Sequence, residues 1–219
     1  MKIIAISDTH MMHRKITIPK GDVLVHAGDY SGYGTYEDFA NFIEWLANLP
    51  HAHKIFIAGN HDQWLEGSHP HVVNDIIKAI TKPYSGITYL FDSSITIDGV
   101  KFYGAPWQPY FCDWAFQATR GKGMAKKWAW IQQDTDVLIT HGPPYGHGDY
   151  VPRDKRVTGC LELLKKVVEI KPSYHIFGHI HEGYGRSRSE ESKITKFINA
   201  SICDGYYRPT NKAFVIDYP

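Results

Sequence analysis

The sequence is poor in cysteine, in net charge and in long apolar runs. Its 219 residues include three widely separated cysteines, so a secreted disulfide framework is not predicted. Lys and Arg number 24 against 23 Asp and Glu, and the resulting charge of +1 excludes the bulk positive field that holds an extended nucleic acid. No apolar run approaches the roughly 18 residues of a membrane span, and the N-terminus has no signal-peptide pattern. We therefore expect a cytoplasmic protein with neither a membrane nor a long nucleic acid as partner.

Length and composition are those of one globular domain. A chain of 219 residues can bury most of the surface that its unfolded state exposes, and 43% apolar with 21% charged residues is ordinary for a folded protein. The sequence contains no internal repeat, no low-complexity tract and no linker long enough to separate domains. We predict a single domain over residues 1–219.

Strand and helix patterns alternate early and late in the chain. Strand-like runs lie near 2–7, 22–27, 53–58, 87–91, 94–98, 100–104, 136–140, 174–177, 194–199 and 212–217. Apolar periodicity predicts helices over 35–49, 72–80, 122–133 and 159–170. The three runs between 87 and 104 are short and closely spaced, which is a hairpin signature and implies antiparallel pairing. The pattern predicts a mixed sheet, or two sheets packed between helices.

Five short segments each place metal-ligating side chains just after an apolar, strand-like run. They are Asp8-Thr9-His10, Gly28-Asp29, Gly59-Asn60-His61-Asp62, Thr140-His141-Gly142 and Gly178-His179-Ile180-His181. Because the carboxyl ends of strands in a helix-covered sheet open onto one crevice, ligands far apart in sequence converge there. The predicted ligands are Asp8, His10, Asp29, Asn60, His141, His179 and His181.

The chemistry of this ligand set indicates the kind of metal. Carboxylates, one amide oxygen and four imidazoles suit Mn, Fe, Zn or Ni, whereas calcium prefers oxygen alone and structural zinc usually takes thiolates. We predict two divalent ions, with Mn first and Fe, Zn or Ni as alternatives. If Asp29 bridges the two ions, they would lie about 3.5 to 4 Å apart.

The order of the five segments resembles that of the calcineurin-like metallophosphoesterases, whose pattern is D-x-H, G-D, G-N-H-(D/E), a lone metal-binding His and G-H-x-H. Further segments are similar to the metallophosphoesterase-domain-containing branch of that family: Gly104–Pro109, Thr140–Pro144, Gly178–Gly185 and Ile198–Ser201. The resemblance implies an α/β fold, a four-layer αββα sandwich of two mixed sheets with a dinuclear metal site at the C-terminal ends of the strands. In the family pattern, one metal is held by Asp8, His10, Asp29 and His181, and the other by Asp29, Asn60, His141 and His179.

Two cations beside a phosphorus centre would generate hydroxide from water and neutralise the nonbridging phosphate oxygens. The departing alkoxide then needs an acid. His61 is the candidate because it adjoins Asn60 without being needed as a ligand, and Asp62 or another carboxylate would orient its ring and raise its pKa. We expect Asn60, His61 and Trp107 to contact the substrate. Trp107 begins an aromatic-rich stretch, 107–116, which is either a stacking wall for a base or aryl group or a hydrophobic cluster under a long loop.

The expected partner is a small phosphoester, with nucleotides among the candidates; the oligomeric state does not follow from the sequence. A phosphodiesterase acting on cyclic nucleotides or aryl diesters is favoured by the family resemblance and by the lack of an evident positive pocket for a dianionic monoester. The alternative is a phosphomonoesterase or Ser/Thr protein phosphatase, which would gain from arginines aimed at the phosphate. Arg153, Lys155 and Arg156 are candidates, although such a charge run is usually a solvated turn. A non-catalytic metal-binding scaffold would tolerate loss of ligands, yet all of them are present.

Three further features carry predictions of their own. His26 lies in a strand that runs into the site, and we expect a buried, hydrogen-bonded histidine rather than a ligand. His147 either touches the substrate or is a solvated loop residue. The polar segment 186–192 is predicted to be an exposed hairpin turn.

Overall fold

The computed structural model describes residues 1–81, 86–188 and 192–219. Its strands are β1 (Lys2–Ile6), β2 (Val23–His26), β3 (His53–Phe56), β4 (Ile87–Tyr89), β5 (Ser93–Ile97), β6 (Val100–Ala105), β7 (Gln108–Pro109), β8 (Gln117–Ala118), β9 (Val137–Thr140), β10 (Tyr150–Val151), β11 (Arg156–Val157), β12 (Tyr174–Phe177), β13 (Gly185–Arg188), β14 (Lys196–Asn199) and β15 (Phe214–Asp217). The α-helices are α1 (Tyr36–Ala47), α2 (Gln63–Glu66), α3 (Pro70–Thr81), α4 (Lys122–Trp128) and α5 (Leu161–Ile170), and short 3-10 helices cover His13–Lys15 and His181–Gly183.

Two mixed sheets form the centre of the molecule. The first has the order β15-β1-β2-β3-β4, in which only the edge strand β15 is antiparallel to its neighbour. The second has the order β13-β14-β12-β9-β6-β5, with parallel central strands and antiparallel strands at both edges. This arrangement confirms the predicted mixed α/β fold.

The central strands are buried on both faces, which explains their nearly continuous apolar sequences. In β1, Ile3 and Ala5 point into the core between the two sheets, while Ile4 and Ile6 point into the core beneath α1 and α3. A third core packs α4 and α5 against the outer face of the second sheet. The layers are therefore helices, sheet, sheet and helices.

Helix α1 shows how local sequence sets an element. Thr35 caps its N-terminus, where the side-chain oxygen accepts a hydrogen bond from the Asp38 backbone amide at 3.1 Å. Phe39, Phe42 and Leu46 are fully buried because their spacing places them on one face of the helix. The helix therefore covers the first sheet as its periodicity predicts.

The structure corrects three details of the predicted elements. Only β5 and β6 form the antiparallel hairpin; β4 pairs in parallel with β3 and belongs to the other sheet. Helix α4 ends at Trp128 rather than near residue 133. The predicted turn over 186–192 includes the edge strand β13, which pairs with β14, and residues 189–191 of that prediction lie outside the described residues.

The two sheets meet at the carboxyl ends of their parallel strands. Just past β1 and β14, Ser7 and Ser201 form a parallel bridge, and the Ser7 amide donates to the Ala200 carbonyl at 2.8 Å. The loops that follow β1, β2, β3, β9 and β12 are brought together there. In the described ranges, no helix is long and apolar enough to cross a membrane.

Candidate metal centre

The predicted ligands lie together at this meeting point of the sheets. Each forms part of one of three groups of converging ligand atoms or is hydrogen-bonded to one. The groups are Asp8, His10 and His181; His10, Asp29 and His61; and Asp29, His141 and His179, with the atoms in each within 4.8 Å of one another. Asn60 joins the third group, since its Oδ1 lies 3.1 Å from His141 Nε2. We call the seven predicted ligands the ligand cage.

Asp29 occupies the centre of the ligand cage. Its Oδ2 lies 3.3 Å from His141 Nε2 and 3.9 Å from His10 Nε2. Asp8 holds a similar position on one side, with Oδ1 3.4 Å from His181 Nε2. A carboxylate between two sets of imidazoles is the arrangement that a bridging ligand requires.

The orientation of three imidazoles fits cation binding. The Nδ1 atoms of His10, His141 and His181 lie 3.1, 2.9 and 2.9 Å from the backbone carbonyls of Ser31, Ala27 and Asp204. A carbonyl only accepts, so each Nδ1 carries a hydrogen and each neutral ring turns its Nε2 lone pair into the cage. His10 Nε2 and His181 Nε2 face each other at 3.1 Å, which a cation shared by both rings would explain.

The backbone is strained where it presents these ligands. Asp8, Asp29 and His179 have φ values of 51°, 57° and 69°, in the left-handed region that residues other than glycine rarely adopt. Such strain clusters at functional sites because the surrounding structure enforces it. Two glycines permit the close approach: a Cβ on Gly178 would overlap the Asp8 carboxylate, and one on Gly59 would overlap that of Asp29.

Electrostatics concentrate positive charge around the buried carboxylates. Burial alone would raise the pKa of Asp29, but the charge and hydrogen bond of His141 hold it below its ordinary value. Burial opposes the charged form of His141 and His181, yet Asp29 and Asp8 respectively raise the pKa of each ring to about 9. The two buried carboxylates thus hold protons on His141 and His181, and divalent metal ions would displace these protons on binding. The residues fit the predicted N/O coordination.

A cavity of about 960 Å³ opens above the ligand cage. Asn60, His61, His179 and His181 lie at its base. Aromatic and other residues of the loop after β7 form one side, including Tyr110, Phe111, Cys112 and Trp114, while the β10–β11 hairpin and Tyr207 form other parts of the wall. The cavity is large enough for a nucleotide-sized substrate, since small-molecule sites span about 300 to 1,000 Å³.

Comparison with known proteins identifies the family. The model of the calcineurin-like phosphoesterases matches residues 1–183. This chain belongs to the calcineurin-like phosphoesterase family. It is 40% identical over 237 aligned residues to the human "Metallophosphoesterase domain-containing protein 1", covering 100% of this chain and 71% of the human protein. A Caenorhabditis elegans UPF0046 protein is 39% identical over 232 residues, with coverage of 100% and 81%.

Solved structures share the fold. One crystal structure superposes with a TM-score of 0.66 at 14% identity and covers 100% of this chain and 99% of its own. A Thermus thermophilus structure gives a TM-score of 0.59 at 12% identity, with coverage of 90% and 88%. The overall fold is thus shared at low sequence identity.

The structure corrects the predicted role of Asp62 in this phosphoesterase. The Asp62 carboxylate is fully buried and accepts hydrogen bonds from the backbone amides of Asp29, Ser31 and Gly59 at 2.8, 3.0 and 2.7 Å. It does not hold the His61 ring, whose Nδ1 lies instead 3.3 Å from the Gly32 carbonyl. Burial and the charge of Asp29 raise the pKa of Asp62, against the amide hydrogen bonds. Asp62 therefore positions the loop that carries Asp29.

The structure places Trp114, rather than the predicted Trp107, in the wall of the cavity. Trp107 does not line the cavity; its Nε1 lies 2.9 Å from both carboxylate oxygens of Asp92, and Lys127 Nζ sits 3.2 Å from its ring centroid. Trp114 lies nearer the centre, with its ring centroid 4.3 Å from that of His61. The stretch 107–116 thus combines both readings, because its ends pack into the core and its middle faces the cavity.

Two other histidines, His26 and His147, are buried and hydrogen-bonded within the protein. His26 is fully buried and its Nε2 bonds with Thr9 Oγ1 at 2.9 Å, which confirms the expectation of a hydrogen-bonded core residue. His147 is neither solvated nor among the residues lining the cavity: its ring stacks on Phe197 at 3.8 Å and its Nδ1 bonds with Ser187 Oγ at 2.9 Å.

The sequence prediction did not include the residues at the end of β14 that hold the cage through hydrogen bonds. Ser201 Oγ lies 2.8 Å from Asp8 Oδ2, and the Asn199 side-chain amide donates to the Ile180 carbonyl at 2.8 Å. The segment Ile198–Ser201 carried part of the family resemblance, and its polar residues at a strand end were the signal for this role. Tyr207 was also overlooked, since its sequence context offers no such signal.

Proposed function

We propose that this chain acts as one domain and is a metal-dependent phosphodiesterase for small diesters that carry a planar group, such as aryl diesters or cyclic nucleotides. The observation that supports a phosphoesterase site most directly is the central position of Asp29 between the imidazoles of His10 and His141. Family membership supports the same reaction class. We propose Mn as the first metal to test, with Fe, Zn and Ni as alternatives.

The cage, His61 and Asn60 would each have a distinct role in hydrolysis. The cage, Asp8, His10, Asp29, Asn60, His141, His179 and His181, would hold two divalent ions, which when bound supply charge neutralisation for the phosphate and an activated water. His61 lines the cavity and has its Nδ1 on the Gly32 carbonyl, so Nε2 is the atom that would deliver a proton to the leaving oxygen. Asn60, also in the cavity wall, would contact the phosphate.

Two arginines of the cavity favour a diester over a monoester. Arg120 donates to the carbonyls of Gly159 and Thr158, at 2.8 and 2.5 Å, and thus fastens the hairpin. Arg156 pairs with Asp154 at 3.3 Å. These two arginines are therefore engaged with the protein rather than directed at a dianionic phosphate.

Arg153 supports the second candidate, a phosphomonoesterase. It lines the cavity from the β10–β11 hairpin, and no ion pair or hydrogen bond is recorded for its guanidinium among the described residues. A free guanidinium suits recognition of a phosphate dianion. Arg153 stands on an exposed hairpin and is the only one of the three cavity arginines, among the described residues, without such a bond, which is why we place this function second.

The test is activity of metal-stripped protein reloaded separately with Mn, Ni, Fe or Zn. The substrates are a bis-aryl phosphodiester, the matching aryl monoester and a set of cyclic nucleotides. We expect diester turnover to exceed monoester turnover with at least one metal. Faster monoester turnover with every metal would establish the second candidate, and metal binding without any turnover would identify a scaffold.

A further inference from the structure

Tyr207 stands at the metal centre without a part in the proposed hydrolysis. Its ring centroid lies 4.8 Å from that of His10, 5.3 Å from that of His181 and 6.2 Å from that of His61. The side chain lines the cavity, and the residue is 49% exposed. Tyr207 therefore lies beside the ligand cage, in the wall of the cavity that adjoins it.

A braced turn holds the Tyr207 ring in this place. The Asp204 carboxylate accepts hydrogen bonds from the backbone amides of Tyr206 and Arg208 at 2.9 and 3.0 Å, and from Arg208 Nε at 2.8 Å. The Asp204 carbonyl accepts from His181 Nδ1 at 2.9 Å, which ties the turn to the cage. Tyr207 itself has a φ of 59°, a conformation that the turn enforces. The backbone that carries the ring is thus tied to the cage residue His181.

Trp114 flanks His61 from another direction. Its ring centroid is 4.3 Å from His61, it lines the same cavity, and no contact between the rings of Trp114 and Tyr207 is recorded in the described part of the chain. Both aromatic rings line the cavity and neighbour the imidazole of His61. The cavity wall is therefore aromatic at two places that adjoin the proposed acid, His61.

We propose that Tyr207 and Trp114 form an aromatic slot that selects a planar leaving group and holds it against His61. The slot deepens the proposed function and rests on it for the identity of the leaving group. An aryl ring or nucleobase stacks on aromatic side chains, whereas an alkyl group has no π face to offer. Tyr207 is thereby a specificity-determining residue, and Asp204 is the positioning residue that holds it.

The experiment measures binding, not turnover. Mn-loaded protein is titrated calorimetrically with phenylphosphonate and with methylphosphonate, which share the phosphorus dianion and differ in the planar ring. We expect Tyr207→Ala to weaken phenylphosphonate about tenfold and to leave methylphosphonate within about twofold. Tyr207→Phe keeps the ring and should bind as the parent does. Tyr145→Ala is the matched control, since Tyr145 is 48% exposed and does not line the cavity.

Trp114→Ala provides an independent variant should Tyr207→Ala fail to fold, and the same selective loss is expected from it. Equal weakening of both phosphonates would overturn the slot, because it would report damage to the cage through His181. Loss of phenylphosphonate binding in Tyr207→Phe would overturn it as well, since the hydroxyl rather than the ring would then be responsible. Selective binding without turnover of any diester would leave the slot standing and refute the proposed function alone.

Discussion

The ligand cage and the wall above it are held by the fold in very different ways. Asp8 and His141 are fully buried, and Asp29 is 2% exposed and bonded to both backbone and side chains. Tyr110 and Tyr207 in the wall are 59% and 49% exposed. A change in the cage disturbs many contacts, whereas a change in the wall disturbs few. The comparison suggests that the cage sets the chemistry and the wall sets the substrate.

Removing the central carboxylate should have the largest effect. Asp29→Ala deletes the oxygen that lies near both His10 and His141, so we expect loss of bound metal and activity at background level. Even outer partners of a metal typically contribute 10- to 100-fold in affinity, and a shared ligand should exceed that. Metal content after gel filtration gives the readout. Asp154→Ala, on the exposed hairpin, is the control, and full metal occupancy in Asp29→Ala would contradict the central role.

Replacing His61 tests whether a residue next to the cage serves the reaction without holding the metals. We expect His61→Ala to keep its metals and to lose about 100- to 10,000-fold in rate toward an alkyl ester, the usual worth of a positioned acid. An ester with an acidic phenol as leaving group needs less proton transfer and should lose less. Because His61 belongs to one of the converging groups, a fall in metal content would instead make it a ligand.

Asp62 should contribute mainly to stability and to metal affinity. Asp62→Ala leaves the amides of Asp29, Ser31 and Gly59 without their acceptor, and each buried unsatisfied donor costs about 1 to 3 kcal/mol. We expect a loss of at least about 3 kcal/mol in urea unfolding and weaker metal binding. Asp62→Asn retains one acceptor oxygen and should lose less. An unchanged unfolding midpoint in Asp62→Ala would refute the positioning role.

Replacing each of the two tryptophans in the stretch 107–116 should distinguish the cavity wall from the core. We expect Trp114→Ala to raise KM for an aryl diester about tenfold with little change in Tm, since its ring faces the cavity beside His61. Trp107→Ala should lower Tm with little change in KM, because its ring packs against Phe116 and bonds with Asp92. The opposite pattern would restore Trp107 as a substrate contact.

A smaller effect is expected from pH. Burial lowers the pKa of His26 to about 3 and that of His175 well below its ordinary value, so both are neutral when folded. The unfolded chain binds these protons near pH 6.5. Their contribution to stability is therefore complete above pH 6.5 and declines by about 1.4 kcal/mol per pH unit for each ring as the pH falls below that value. Urea unfolding of the parent and of His175→Gln between pH 7.5 and 5 measures this slope, which should be shallower in the variant.

The sequence predicted the elements that local pattern determines. It predicted the apolar strands, because burial on both faces requires continuous apolar residues. It also predicted helix α1, because its cap and the spacing of its apolar residues are visible in the sequence. The convergence of the strand ends followed from these elements. The assignment of β4 and β5 to different sheets was not readable, since a tight turn of the same composition serves either topology. Long-range pairing decided it.

The candidate site was predictable in the same respect: the sequence indicated residue types and their order, but not their long-range contacts. The ligand types and their order identified the cage, but partners such as the amides bound by Asp62 depend on loop geometry that side-chain type does not reveal. Trp107 and Trp114 are chemically alike and seven positions apart, so only packing could place one in the core and the other in the cavity. Tyr207 approaches the cage from a turn distant in sequence, and no pattern around it indicates that contact.

The left-handed backbone at Asp8, Asp29 and His179 bears on how such a chain can change over time. Glycine adopts this conformation without steric penalty, while other residues there give up about 1 to 2 kcal/mol each. Glycine at any of the three positions would relieve this cost and would also remove a candidate ligand. Each position therefore exchanges conformational free energy for a side chain that can bind a cation.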